Sequence, residues 1–267
     1  MGHFIKINNV KLYYEEYGNP NNETIIMLHG WNENRNVFKY QIEEFSKYYR
    51  VITIDMRGHG KSSKPRTGYS YTFMAKDLYH FLKKLEINNP IIIGHSMGGQ
   101  IALKYYLRFD NCKKLVLISS PSTMPIQLFG AIKLGQEYLT KKLRAGLRYA
   151  SETFLKNFLS SQGTDNQQIS QKDIKLDFKD FQVPLYVTIG ITFNALSFNV
   201  QEKLDQIKIP VLILAGVKDD LIPISEFEFM AEKIPNCKLI KFPDCGHFSF
   251  IEKPAKINQI ILDFLKN

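Results

Sequence analysis

A serine flanked by glycines two residues away on either side is the part of this chain that points most directly to chemistry. It is Ser96, in the sequence Gly94-His95-Ser96-Met97-Gly98. The β-branched run 90–93 before it predicts a buried strand, and residues 100–107 after it predict a helix. A strand-to-helix turn this sharp exposes the serine hydroxyl, and the glycines remove Cβ atoms that would clash there. We therefore predict a nucleophile rather than a simple helix cap, and a serine nucleophile needs a base.

Two further polar residues could activate this serine. Asp219 and His247 each follow a short apolar run that is typical of a strand, as Ser96 does. The carboxyl ends of parallel strands share one edge of a sheet, where ligands bind, so the three residues are expected to meet. His247 would accept the proton of Ser96, and Asp219 would hold the imidazole in one tautomer and stabilise the imidazolium. Asp220 adjoins Asp219, so position alone leaves that choice open, whereas Asp244 is assigned a structural role on its own loop.

These residues depend on an alternation of strands and helices for their positions. Several of the predicted strands are continuously apolar, as in strands that are covered on both faces. Strand and helix in alternation predict an α/β fold with a mostly parallel sheet flanked by helices. The predicted strands cover residues 4–7, 11–17, 24–28, 51–55, 91–94, 115–118, 211–215 and 238–242, and the predicted helices cover residues 37–48, 73–85, 97–108, 225–233 and 255–265.

The alternation breaks once, after the sixth predicted strand. No strand pattern is convincing there, and helical patterns occur around residues 132–143, 145–159 and 189–204. We interpret the segment as a helical insertion. The chain then divides into an N-terminal part of the core (residues 1–122), a helical cap (residues 123–208) and a C-terminal part of the core (residues 209–267).

The composition is that of an ordinary globular protein. The chain has 267 residues, of which 44% are hydrophobic and 23% are charged, and this balance argues against disorder. Its net charge of +9 is spread along the sequence, and no nucleic-acid-binding motif accompanies it. The basic cluster within residues 141–148 has helical spacing and is best explained as a solvated helix face. We therefore expect no nucleic-acid partner.

The cysteines and the apolar segments bear on where the protein works. Cys112, Cys237 and Cys245 are few and lack the spacing of metal ligands, which fits a reducing compartment. The first residues alternate like a strand and lack the layout of a signal peptide. No long unbroken apolar stretch predicts a membrane span. We expect a cytoplasmic protein without a bound metal.

Further motifs follow the third and fourth predicted strands. His29-Gly30-Trp31 follows the third, and Asp55-Met56-Arg57-Gly58-His59-Gly60-Lys61-Ser62 follows the fourth. Together with the Ser96 turn and Gly246-His247, they resemble the α/β-hydrolase family over nearly the whole chain. That family carries its oxyanion loop after the third strand and an arginine- and glycine-rich turn after the fourth. Its glycine–x–x–acid register favours Asp219 over the neighbouring aspartate.

The resemblance implies an α/β-hydrolase fold, with an eight-stranded sheet and a helical cap over the nucleophile. It also implies an oxyanion hole formed by the backbone N–H groups of Trp31 and Met97, whose side chains would shape the pocket. The cap would add an apolar roof from Leu128, Phe129, Phe193, Leu196 and Phe198. The alternative for these cap side chains is that they pack only against the sheet domain.

The buried polar residues of the loops are given structural roles. We interpret His29, His59 and His95 as hydrogen-bonding supports, and Asp55 and Arg57 as residues that tie down the loop after the fourth strand. None of the five is predicted to act on substrate.

Taken together, these features predict a serine hydrolase that cleaves carboxylic esters of small to medium, mainly apolar substrates through an acyl-enzyme, without a cofactor. Thioester cleavage, carbon–carbon hydrolysis, lactone opening and perhydrolysis use the same three residues and stay open. Epoxide hydrolysis and haloalkane dehalogenation are disfavoured, because family members with those activities carry aspartate where Ser96 stands. A non-enzymatic ligand-binding receptor on the same fold is the rival from another class, and the oligomeric state is left open.

Overall fold

An eight-stranded sheet forms the centre of the protein, which we describe from a computed structural model over residues 2–123 and 183–266. The strands are β1 (Gly2–Ile7), β2 (Val10–Tyr17), β3 (Thr24–Leu28), β4 (Arg50–Asp55), β5 (Ile91–His95), β6 (Lys114–Ile118), β7 (Val211–Gly216) and β8 (Cys237–Phe242). They lie in the order β1-β2-β4-β3-β5-β6-β7-β8. Only the pairs that include β2 are antiparallel. The predicted eight-stranded, mostly parallel sheet of an α/β fold is therefore confirmed.

Helices cover both faces of this sheet. They are α1 (Lys39–Phe45), α2 (Tyr71–Lys84), α3 (Met97–Phe109), α4 (Leu185–Leu196), α5 (Ile224–Lys233), α6 (Ser249–Glu252) and α7 (Pro254–Lys266), with 3₁₀ turns at Arg35–Phe38 and Gln201–Gln206. Most follow the predicted pattern, although the first predicted helix divides into a 3₁₀ turn and the short α1. Within residues 2–123 and 183–266, no helix has both the length and the apolar character needed to cross a bilayer.

The helix predicted over residues 189–204 is wrong at both ends. The structure begins α4 directly after Pro184, whose fixed φ suits the start of a helix, and ends it at Leu196. Past that end, Asn199 pairs with Thr123 in an isolated antiparallel bridge, so the chain turns back to the sheet. The other two helical patterns of the predicted cap lie outside the described residues, and the bounds of the cap stay a prediction.

Alternate residues of the central strands pack into two different hydrophobic layers. Ile91 and Ile93 of β5 pack in the layer that contains α1 and α7, whereas Ile92 packs in the layer that contains α2 and α3. All three side chains are fully buried. Because both faces of the strand are covered, its sequence is continuously apolar rather than alternating. The polar residues are left to the loops at the strand ends.

Buried charged groups fix the loop that follows β4. The Arg57 guanidinium donates to both carboxylate oxygens of Asp77 in α2, at 2.5 and 2.7 Å, and to the Gly68 carbonyl oxygen at 2.8 Å. At the start of the loop, the Asp55 carboxylate accepts a hydrogen bond from the Lys61 backbone N–H at 2.8 Å. Asp55 therefore ties down this loop as expected, while Arg57 fastens it to the neighbouring helix.

Removing one partner of the buried ion pair should destabilise the fold strongly. The Arg57 and Asp77 side chains are 4% and 2% exposed, so Asp77→Ala leaves a buried guanidinium without its countercharge. We expect the free energy of unfolding, measured in urea, to fall by about 3–5 kcal/mol. The matched control is Glu228→Ala, which breaks an exposed pair with Lys241 and should change stability far less. Equal effects of the two substitutions would show that the buried pair matters no more to stability than the exposed one.

Candidate active site

Ser96 lies on the turn between β5 and α3 in a backbone conformation that L-amino acids rarely adopt. Its φ is 50° and its ψ is −116°, a strained combination that typically costs about 1–3 kcal/mol. The Ser96 N–H donates to the Ile118 carbonyl oxygen at 2.9 Å, and the Ser96 carbonyl accepts from Gly99 and Gln100 at 3.1 and 3.2 Å. The Ser96 side chain makes no capping hydrogen bond to α3. The role of a simple helix cap therefore does not explain this serine.

The glycines around Ser96 allow backbone segments to touch. A Cβ atom on Gly98 would clash with the Leu28 carbonyl oxygen and would lie 2.8 Å from the His29 carbonyl oxygen. The first turn of α3 thus packs directly on the end of β3, where the loop that contains Trp31 begins. The first turn of a helix also leaves its N–H groups without intrahelical acceptors, and its dipole favours negative charge there. The two segments that carry the predicted oxyanion donors are therefore neighbours.

Asp219 and His247 are in direct contact at the ends of β7 and β8. His247 Nδ1 lies 2.7 Å from Asp219 Oδ2. Asp219 Oδ1 accepts hydrogen bonds from the backbone N–H groups of Leu221 and Ile222, at 2.9 and 3.0 Å, which fixes the carboxylate. Because a carboxylate only accepts, His247 Nδ1 carries a proton, which makes Nε2 the ring nitrogen that can act as a base. Asp220, the alternative acid, is exposed.

The loop of His247 is held against the Ser96 turn. His95 Nε2 lies 3.1 Å from the His247 carbonyl oxygen, and the centroids of the two rings are 5.0 Å apart. On the other side, the Gly246 N–H lies 3.1 Å from a carboxylate oxygen of Glu252, whose pKa is raised by burial. Since His95 directly precedes Ser96, the contact brings the loop of the predicted base to the residue before the predicted nucleophile.

Glu33 belongs to the same group of contacts, although sequence reasoning did not single it out. Its carboxylate accepts from the Gly30 N–H at 2.7 Å and lies 2.9 Å from His95 Nδ1. Burial opposes ionisation of Glu33, but His95, His29 and the Gly30 N–H together hold its pKa below the ordinary value. A carboxylate three residues after Gly30, the glycine of the predicted oxyanion loop, was the one signal in the sequence. Its contact with His95 spans 62 positions and could not be read from that spacing.

The other loop histidines have the structural roles that were predicted for them. The Met56 N–H donates to His29 Nε2 at 3.0 Å, so His29 Nδ1 carries the proton that it shares with the Gly30 carbonyl oxygen at 2.8 Å. His59 Nδ1 lies 3.0 Å from the Arg57 carbonyl oxygen. Burial lowers the pKa of both His29 and His59. Both rings are therefore kept neutral inside the loops that they support.

The predicted pocket residues have different surroundings. Met97 is buried and Trp31 is half-buried. The Phe198 ring packs against Tyr71 of α2, with centroids 5.2 Å apart. For Phe198, this contact favours the alternative in which the cap side chains pack against the sheet domain. Phe193 is 63% exposed and Leu196 is half-buried. Leu128 and Phe129 lie outside the described residues, so an apolar roof stays a prediction.

No group of three or more His, Cys, Asp or Glu side chains within residues 2–123 and 183–266 is arranged as a metal site would require.

Comparison with known proteins connects this geometry to a family. A family model for the α/β-hydrolase fold matches residues 23–254. The Bacillus subtilis AB hydrolase superfamily protein YisY is 32% identical over 294 aligned residues, covering 99% of each chain. The solved structure of an esterase from Exiguobacterium antarcticum has a TM-score of 0.83 and 27% identity, covering 100% of both chains. An N-acyl homoserine lactone degrading enzyme has a TM-score of 0.82 and 25% identity, covering 98% of this chain and 100% of its own. The likeness extends over nearly the whole chain.

The strained turn predicts an unusual order of stability among variants of Ser96. Alanine keeps a Cβ atom in the positive-φ conformation, whereas glycine adopts that conformation without strain. We expect Ser96→Gly to exceed Ser96→Ala in free energy of unfolding by about 1 kcal/mol, although glycine is ordinarily the less stable choice. Urea unfolding of both variants measures the difference. A Ser96→Ala protein as stable as Ser96→Gly would show that the turn carries no strain.

Proposed function

This chain belongs to the α/β-hydrolase family, and we propose that it is a serine hydrolase that cleaves carboxylic esters of small to medium, mainly apolar substrates. One observation carries the proposal. Asp219 Oδ2 lies 2.7 Å from His247 Nδ1 in a buried pair, and the loop of His247 contacts His95, the residue before Ser96. A buried imidazole with a fixed tautomer is what a serine hydroxyl requires as its base.

Formation of the acyl-enzyme is the first half of the proposed reaction. Ser96 Oγ attacks the ester carbonyl carbon while His247 Nε2 takes the hydroxyl proton, and Asp219 stabilises the imidazolium that forms. The negative charge moves to the carbonyl oxygen, which accepts hydrogen bonds from the Trp31 and Met97 backbone N–H groups. The intermediate collapses as the carbon–oxygen bond to the alcohol breaks and His247 returns the proton to the leaving oxygen. Loss of one oxyanion donor typically costs about 10²–10³ in kcat.

Release of the acid is the second half. A water molecule attacks the acyl carbon and gives a proton to His247 Nε2. The Ser96–acyl bond breaks, the carboxylic acid leaves, and Ser96 Oγ regains its proton from His247. Each residue thus returns to its starting protonation state, and the net reaction consumes one water per ester.

Lactones are a second candidate class of substrate. A lactone is a cyclic ester, so the same attack opens the ring and leaves the alcohol attached to the acyl group. The solved lactone-degrading enzyme, at 25% identity over 98% of this chain, favours this class alongside the esterase at 27% identity. Comparing kcat/KM for matched open-chain and cyclic esters of equal carbon number would separate the two.

Labelling with a fluorophosphonate tests the proposal directly. The probe should form one adduct per chain at Ser96, identified by peptide mass spectrometry. Wild-type protein should also turn over p-nitrophenyl butyrate, and Ser96→Ala should lose about 10⁴-fold or more of this activity. Labelling of Ser96 without ester or lactone turnover would favour the ligand-binding receptor. Undiminished turnover by Ser96→Ala would exclude Ser96 as the nucleophile.

Neighbouring aspartates provide a matched test of the acid. Asp219→Asn keeps the size of the side chain but favours the wrong tautomer of His247, so kcat should fall by about 10⁴-fold. Asp220→Asn makes the same chemical change at an exposed position one residue away. It should leave kcat within about twofold, because exposed surface substitutions seldom disturb the fold. If Asp220→Asn had the larger effect, the assignment of the acid would be wrong.

A further inference from the structure

Glu33 and His95 link three segments of the site that are far apart in the sequence. Glu33 Oε2 accepts from the Gly30 N–H at 2.7 Å, and Glu33 Oε1 lies 2.9 Å from His95 Nδ1. At the opposite side of its ring, His95 Nε2 lies 3.1 Å from the His247 carbonyl oxygen. The Glu33 and His95 side chains are 7% and 0% exposed. One continuous chain of contacts therefore runs from the oxyanion loop to the loop of the base.

The acceptor oxygens in this chain of contacts determine which atoms of Glu33 and His95 must carry protons. A carbonyl oxygen only accepts, so His95 Nε2 carries a proton and donates it to the His247 carbonyl. Nδ1 then faces Glu33 Oε1, and one more proton must lie between them, on the imidazole or on the carboxyl. The pair is neutral overall in either arrangement, as a carboxylate with an imidazolium or as a carboxylic acid with an imidazole. With that proton present, every contact is a hydrogen bond with a donor and an acceptor.

The Glu33–His95 pair differs from a contact in the hydrophobic core in its chemistry and in the residues beside it. Buried ion pairs add little stability compared with apolar residues of the same size, so stability alone gives no reason for one here. The backbone also makes room for it: a Cβ atom on Gly30 would lie 2.5 Å from Glu33 Oε1 and 2.9 Å from His95 Nδ1. Gly30 directly precedes Trp31, and His95 directly precedes Ser96. Both ends of the pair thus adjoin residues with proposed roles in catalysis.

We propose that Glu33 and His95 are positioning residues, which fix where the Trp31 N–H and the His247 loop lie relative to the Ser96 turn. The inference rests on the proposed function, because it assigns these two residues an effect on the oxyanion hole and the base. Neither residue needs to touch the substrate. Their effect arises from geometry, since a displacement of about 1 Å at a reacting group can cost 10²-fold in rate.

Three substitutions of Glu33 separate hydrogen bonding from charge. Glu33→Gln still accepts from the Gly30 N–H, and its amide N–H can donate to His95 Nδ1 while His95 Nε2 keeps its proton. All three contacts then survive without an ionised group. Glu33→Asp keeps the charge but shortens the reach by one methylene. Glu33→Ala removes both contacts of the carboxylate.

Steady-state ester hydrolysis by these variants tests the inference. We expect Glu33→Gln to keep kcat within about fivefold, and Glu33→Asp and Glu33→Ala to lose about 10- to 100-fold in kcat. KM should change less than threefold. The rate of Ser96 labelling by the fluorophosphonate should fall in parallel. Glu33→Asp is the conservative variant that keeps the test informative if Glu33→Ala does not fold.

A control separates positioning from stability. Glu16 of β2 pairs with Arg50 of β4 at 2.8 Å, so Glu16→Ala removes a partly buried ion pair away from the loop of Glu33. It should lower the unfolding temperature while leaving kcat at 25 °C within about twofold.

The outcomes distinguish the two proposals. Full activity of Glu33→Asp with loss in Glu33→Gln would show that charge matters, and would overturn the positioning role. Unchanged kcat in Glu33→Ala would overturn it as well. Wild-type protein without Ser96-dependent turnover would overturn the proposed function, and this inference with it.

Discussion

The tight backbone turn at Ser96 is the constraint on which the rest of the structure depends. Gly94 and Gly98 leave no space for a Cβ atom, because the end of β3 and the first turn of α3 lie against them. The strained φ of 50° is maintained because the Ser96 N–H donates to Ile118 of β6 and the Ser96 carbonyl oxygen accepts from the first turn of α3. A fold that holds one serine in this conformation must fix β3, β5, β6 and α3 together. The parallel sheet with helices on both faces provides that rigidity.

Buried polar groups transmit this rigidity from the sheet to its loops. Asp219 has three hydrogen-bonding partners and so has one available orientation toward His247. Glu33 and His95 connect the loop of Gly30 and Trp31 with the loop of His247. Both pairs lie in a medium of low polarity, where unmatched polar groups are costly and matched ones are directional. The carboxyl edge of the sheet is therefore polar and ordered, although the layers beneath it are apolar.

Local patterns in the sequence were sufficient to place the strands and the Ser96 turn, since each of these is formed by residues that are neighbours in the chain. Ile91–His95 is continuously apolar until its end because both faces are covered, and that pattern is visible without coordinates. The register of Glu33 against His95 was not visible, because it depends on how two loops fold onto one edge. The end of α4 was missed for a similar reason: the pairing of Asn199 with Thr123 overrides the local helical preference. Leu128 and Phe129 of the predicted roof lie outside the described residues.

A crystal structure of the protein after reaction with a phosphonate ester, which mimics the tetrahedral intermediate, would show directly whether Ser96, His247 and the two N–H groups act together. We expect phosphorus bonded to Ser96 Oγ, with a phosphonyl oxygen about 2.7–3.1 Å from the Trp31 and Met97 backbone nitrogens. His247 Nε2 should face the Ser96 oxygen, with Asp219 still bound to Nδ1. An adduct on another residue, or a phosphonyl oxygen that points away from both N–H groups, would rule out this arrangement of nucleophile and oxyanion hole.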